Sequence, residues 1–125
     1  MKRSFKTRAF AKWMRKTELR DQALCQALIE MAHGLIDADL GGGVLKKRIA
    51  LPGRGKSGSS RTLVATNKGN RWFFIFGFEK NERENINRKE LEALRALASD
   101  YLAQPDLHLN SLVESAALQE ICHEH

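Results

Sequence analysis

The spacing of apolar residues changes several times along this chain, and each change marks an element. Residues 3–7, Arg-Ser-Phe-Lys-Thr, alternate weakly and read as a first strand. Phe10, Trp13, Met14 and Thr17 then fall at i, i+3, i+4 and i+7, one face of a helix. A second helix is expected from about Leu19 to His33, with Leu24, Ala27, Leu28 and Met31 facing inward and Leu35 continuing the stripe. Gly34 stands where a helix C′ residue belongs, and His33 in the last turn suits the helix dipole when charged. Asp37–Gly43 reads as a flexible connector.

From Val44 the period shortens. Val44, Leu45, Ile49 and Leu51, with Lys46, Lys47 and Arg48 between them, read as a strand with one cationic face. Thr62–Thr66 is a second strand and 67–70 a tight turn, so the next strand, Trp72–Phe78, closes an antiparallel hairpin. That strand is apolar on both faces and belongs in the middle of the sheet. The helix after it carries a full start signal. Asn87 is an N-cap, Glu90 completes a capping box, and Ile86 and Leu91 form a hydrophobic staple. Leu91, Leu94, Leu97, Ala98 and Tyr101 make its inward stripe, and Pro105 ends it. Leu109, Leu112, Val113, Ala116 and Ile121 suggest a last short helix with a frayed end. The order predicts an α+β fold: a small, mainly antiparallel sheet with helices packed on one face, plus a C-terminal helical tail.

Composition adds bounds. The length, 125 residues, suits one domain, with ordinary apolar and charged fractions. Two cysteines, Cys25 and Cys122, make no disulfide framework and fit a reducing compartment. Cys25, bordering the apolar stripe of the second helix, reads as a buried inert thiol. The first residues give no uninterrupted apolar core of a secretory signal, and no apolar run is long enough to span a bilayer. The expectation is a cytoplasmic protein without a membrane partner.

The net charge is +6, and its distribution says more than its size. Residues 1–17 hold seven Lys or Arg and no acid; residues 44–80 hold nine against Glu79 alone. Residues 18–43 and 81–125 are acidic on balance. Two basic blocks meeting in space would form a face that attracts phosphate; apart, they would be part of a solvated, mixed surface.

The run Pro52-Gly-Arg-Gly-Lys-Ser-Gly-Ser-Ser-Arg61 invites a nucleotide-binding reading, which fails on three counts. The first glycine of the motif would fall at Ala50; a β-type run rather than a helix follows; and no strand ends in a metal-binding aspartate. A cationic loop between two strands remains. Its glycines would let backbone approach a phosphodiester while Arg54 and Lys56 pair with the charge.

Three blocks, DADLGGGVLKKRIA, GRGKSGSSRTLVA and FFIFGFEKNERENI, resemble in order and spacing the HigB-type branch of the RelE/ParE superfamily of bacterial type II toxins. The resemblance covers about residues 3–104 as a RelE-like toxin domain and leaves 105–125 as a tail. It implies a compact α+β fold and a cognate antitoxin, helix-turn-helix in type. It further implies an mRNA interferase cleaving messenger on the ribosome without a metal or other cofactor. ParE-like relatives act instead on DNA gyrase by protein contact, and a non-catalytic nucleic-acid-binding module is a third reading.

Metal-free RNA cleavage needs a base for the 2′-hydroxyl, an acid for the leaving 5′-oxygen and cations for the charge gathering on phosphorus. Histidine is scarce here: His33 ends a helix and His108, His123 and His125 lie in the tail. By motif position, Arg61 and Lys80 resemble the family's phosphate-stabilising cations, with Lys56 as a proton-transfer group. Lys46, Lys47, Arg48 and Arg54 are further candidates for RNA binding. The family's tyrosine beyond the last strand has no counterpart: Ile86 holds the nearest position, and the single tyrosine, Tyr101, lies on an inward helix stripe. Cys122-His-Glu-His125 holds metal-ligand types, but at a chain end it is a weak zinc candidate. The aromatic run 72–78 could stack bases, though its two apolar faces favour core packing.

Overall fold

The computed structural model describes residues 2–51 and 55–123, without the side chains of 55–58. In chain order the elements are β1 (Arg3–Thr7), α1 (Arg8–Met14), α2 (Asp21–Ala32), β2 (Ala38–Asp39), β3 (Val44–Leu51) and β4 (Gly55–Thr66). Then follow β5 (Arg71–Glu79), α3 (Arg88–Leu102), α4 (Asp106–Glu114) and β6 (Leu118–Ile121). The strands form one sheet in the order β2-β3-β4-β5-β1-β6, antiparallel except for the β1–β5 pair. The α+β class and the mainly antiparallel sheet are as the periodicity predicts.

Two differences have a common cause. Helices were expected on one face, yet they cover both. Leu45, Ile49, Val64, Trp72 and Phe74 pack with α1 and α2; Val44, Leu63, Ala65, Phe73 and Ile75 pack with α3 and α4. Strand residues alternate between faces, so a strand apolar at successive positions, such as Trp72–Ile75, requires a layer on each side. The chain beyond Pro105 supplies part of the second layer. Leu109 on α4 and Leu118 on β6 are fully buried, and β6 adds an antiparallel edge strand to β1. The frayed end expected there is instead a strand, and Arg3 ties it down by gripping Glu120 at 2.8 Å and 2.9 Å.

Local signals explain the element boundaries. Thr7 caps α1 by accepting from the Phe10 amide. Asn87 and Glu90 form the predicted reciprocal capping box at α3. At the end of α2, Gly34 takes a φ of +89° while the Gly34 and Leu35 amides donate back to Met31 and Glu30, a Schellman motif. Leu35 does not continue the buried stripe; past that reversal it is 60% exposed. The connector at 37–43 is a tight hairpin: β2 pairs with β3, and Gly41, Gly42 and Gly43 all have positive φ. A side chain at Gly42 would also strike Arg95 of α3, whose guanidinium donates to the Leu40 carbonyl.

Cys25 and Cys122 are joined in a disulfide, with a Cα–Cα distance of 5.6 Å. This corrects the expectation of a buried free thiol in α2, withdraws the cysteine argument for a reducing compartment, and removes Cys122 from any metal site. The sequence gap of 97 residues hid the pairing; β6 brings the chain end back beside α2. Of the rest of the terminal ligand-like cluster, Glu124 and His125 lie outside the described residues.

Candidate functional site

Along the face that packs on α3, the side chains change from apolar to cationic as the strands run away from the helix. On β3 the succession is Val44, Lys46, Arg48; on β4 it is Ala65, Leu63, Arg61. The ladder sets Val44 opposite Ala65, Lys46 opposite Leu63 and Arg48 opposite Arg61. On β5, Phe76 faces Leu63 and Phe78 faces Arg61. A register shift at Leu63–Val64 makes Ile75 an extra residue in β5, keeping Ile75, Phe76 and Phe78 on this side and turning Gly77 to the other.

Lys46, Arg48 and Arg61 line one cavity of about 260 Å³ together with Asp37, Ala38 and Glu84. Arg61 is the deepest of the cations at 8% exposure. Its guanidinium donates to the Ser59 carbonyl at 2.9 Å and the Ser59 hydroxyl at 3.1 Å, and no carboxylate pairs with it among the described residues. These bonds hold the planar fork in place and leave its remaining donors for a ligand. Arg48 is more exposed and is paired: its amide and guanidinium donate to the two oxygens of Asp37 at 2.7 Å and 3.0 Å. Partial burial works to raise the Asp37 pKa. The hydrogen bonds from Arg48, with the charges of Arg48 and Lys47, outweigh it and hold the carboxyl below its ordinary value.

A short loop between β5 and α3 forms the remaining wall. Arg83 lies over the Phe78 ring at 5.6 Å, donates to the Asn85 carbonyl and pairs with Glu90 at the start of α3. That pairing raises the Arg83 pKa and lowers that of Glu90. Arg83 thereby fixes the loop to the sheet and to the helix, and Glu84 follows it directly in the chain.

The sequence candidates divide accordingly. Lys46, Arg48 and Arg61 converge. Lys47 does not, which corrects its assignment to the cationic face. As the residue between Lys46 and Arg48, it points to the other side, is buried, and binds Glu30 and the Leu35 carbonyl, each at 2.8 Å. Lys80 stands exposed in the turn after β5 and does not line the cavity. Arg54 and the Lys56 side chain lie outside the described residues. Gly55–Ser60 extend β4 instead of opening a helix, in keeping with the rejected nucleotide-loop reading. Asp37 and Glu84 are not among the sequence candidates; proximity alone brings them in. Tyr101 stacks on Phe73 at 5.1 Å within the core, and burial raises its pKa.

A larger groove of about 470 Å³ is lined by Lys6, the end of α1, the connector after it and Gln119, but its Lys6 is held by Asp21 at 2.7 Å and Glu18 sits among its cations. No group of three or more His, Cys, Asp or Glu among the described residues could hold a metal ion. No helix is long and apolar enough to cross a membrane among the described residues.

No curated protein matches the chain. A family model does, that of the RelE toxin of the RelE/RelB toxin–antitoxin system, over residues 2–121, from β1 through the edge strand β6. Sheet, helices and cationic cavity all fall within that match, and the chain belongs to the RelE toxin family, whose members pair with an antitoxin.

Proposed function

We propose that this toxin is a HigB-type mRNA interferase: a ribosome-dependent, metal-independent endoribonuclease that binds the scissile phosphate in the cavity of Lys46, Arg48 and Arg61. One observation carries the reading. Arg61 is a buried guanidinium held by Ser59, without a carboxylate partner among the described residues, in a cavity it shares with Lys46 and Arg48. A buried charge without a counter-ion is costly to a folded protein, and an anionic ligand would relieve that cost.

In this reading Arg61 clamps the non-bridging oxygens as charge builds on phosphorus, and Lys46 and Arg48 hold the flanking backbone. Lys80 and Lys56 remain candidates by motif position. Lys80 contacts the strand leaving the cavity, and Lys56 takes part in proton transfer. Arg54 extends the contact with RNA. The partners are the messenger, the ribosome and a helix-turn-helix antitoxin, in the cytoplasm.

The test is induced expression with mapping of mRNA 5′ ends, growth and SOS induction followed together. New 5′ ends and growth arrest, both abolished by Arg61→Ala, support the interferase. Arrest with an SOS response and intact transcripts would assign a gyrase-directed inhibitor. Salt-sensitive RNA binding with neither arrest nor cleavage would assign a non-catalytic module.

A further inference from the structure

The cavity that gathers three cations also holds two carboxylates, and the two differ. Asp37 commits both oxygens to Arg48. Glu84 is exposed, lines the same cavity and makes no hydrogen bond or ion pair with any described residue. Its position is nevertheless set. Arg83 before it is pinned by Glu90, the Asn85 carbonyl and the Phe78 ring, and Asn87 beyond it caps α3.

We propose that Glu84 is the general base of RNA cleavage, an assignment that rests on the interferase reading above. A carboxylate is ionised at neutral pH, whereas a lysine must first lose its proton. Glu84 takes the proton from the 2′-hydroxyl and the 2′-oxygen bonds to phosphorus. The bond from phosphorus to the 5′-oxygen breaks, and that oxygen takes a proton from a water molecule, whose hydroxide then takes the proton from Glu84. The products are a 2′,3′-cyclic phosphate and a 5′-hydroxyl.

The experiment compares wild type, Glu84→Gln and Glu84→Asp in single-turnover cleavage of messenger on programmed ribosomes across pH. Binding of 2′-deoxy-substituted messenger is measured in parallel. Glu84→Gln is expected to slow cleavage about 100-fold or more and to lose the acidic limb of the rate–pH profile. Glu84→Asp keeps part of the rate and the limb. Affinity for the uncleavable messenger holds or rises in Glu84→Gln, because a negative charge leaves a polyanion site. Near wild-type cleavage by Glu84→Gln, an intact acidic limb, or a rate loss matched by lost affinity would overturn the assignment while leaving the interferase reading standing. A wild-type protein that leaves messenger whole would overturn both.

Discussion

Arg48 and Arg61 face each other across the β3–β4 ladder, on the face that packs against α3. Like charges directly opposite in a sheet are destabilising, by roughly 0.2–1 kcal/mol. Asp37 neutralises Arg48, while the buried Arg61 keeps only the neutral acceptors of Ser59 among the described residues. A polyanion entering there would remove the repulsion, so the local cost and the proposed function have the same origin.

Arg61→Ala should therefore reduce transcript cleavage by about 100- to 1,000-fold, in the range seen when one transition-state donor is removed. Its stability in urea should stay within about 1 kcal/mol of wild type, because the lost Ser59 bonds are offset by relief of the Arg48 repulsion. Arg61→Lys should not restore cleavage, since a point charge cannot reproduce the fork. Urea titration and 5′-end mapping on the same preparations check both halves.

Neighbouring lysines should behave in opposite ways. Lys46→Ala should weaken RNA binding and flatten its salt dependence while the melting temperature stays near wild type. Lys47→Ala should lower stability by about 1–3 kcal/mol, below the cost of breaking a fully buried pair because Glu30 is partly exposed. RNA affinity of the folded Lys47→Ala protein should be close to unchanged.

Acid should loosen the cavity wall. The Asp37 pKa is lowered in the folded protein, so the unfolded chain binds the proton more readily. Its contribution is fully present above the ordinary carboxylate value and is lost as pH falls through the folded value. Asp37→Asn should therefore flatten the acid limb of stability against pH below about 4, where carboxylates titrate, and leave the neutral-to-basic limb in place. Thermal melts from pH 2 to 7 measure this.

Gly77 sits under the Trp13 ring, and a Cβ built there would lie 2.4 Å from it. Gly77→Ala should cost about 1–3 kcal/mol by overpacking, and a smaller apolar residue at Trp13 should recover part of that loss. A double-mutant cycle in urea resolves the coupling.

The Cys25–Cys122 bond joins residues 97 apart in sequence. Reduction, or Cys25→Ser, should lower stability by about 2–4 kcal/mol, as for a long closed loop. It should also expose β6 and α4 to limited proteolysis before the rest of the sheet. Thiol titration of the unfolded chain before and after reduction counts the bond directly.

How much could be read in advance depends on the range of the cause. The capping box of Asn87 and Glu90, the Gly34 stop and the 67–70 turn act within a few residues, and all stand where periodicity and turn chemistry put them. The hairpin glycines were legible as a connector but not as a tight one, because Arg95, which packs against Gly41 and Gly42 and donates to the Leu40 carbonyl, lies far along the chain. The edge strand β6 was missed for the same reason. Four residues at a chain end carry little pattern, and pairing with β1 decides their state.

Chain order alone determined an α+β fold, an apolar central strand and a surplus of cations around the glycine run, since these follow from local spacing and charge counts. Which cations meet was decided by strand register. Alternation sends Lys46 and Arg48 to one face and Lys47 to the other, and the β3–β4 pairing sets Arg61 beside the first two. Packing of the loop after β5 added Glu84. A site made of residues from separate strands and a loop depends on distances that chain folding creates, and no stretch of sequence encodes those distances by itself.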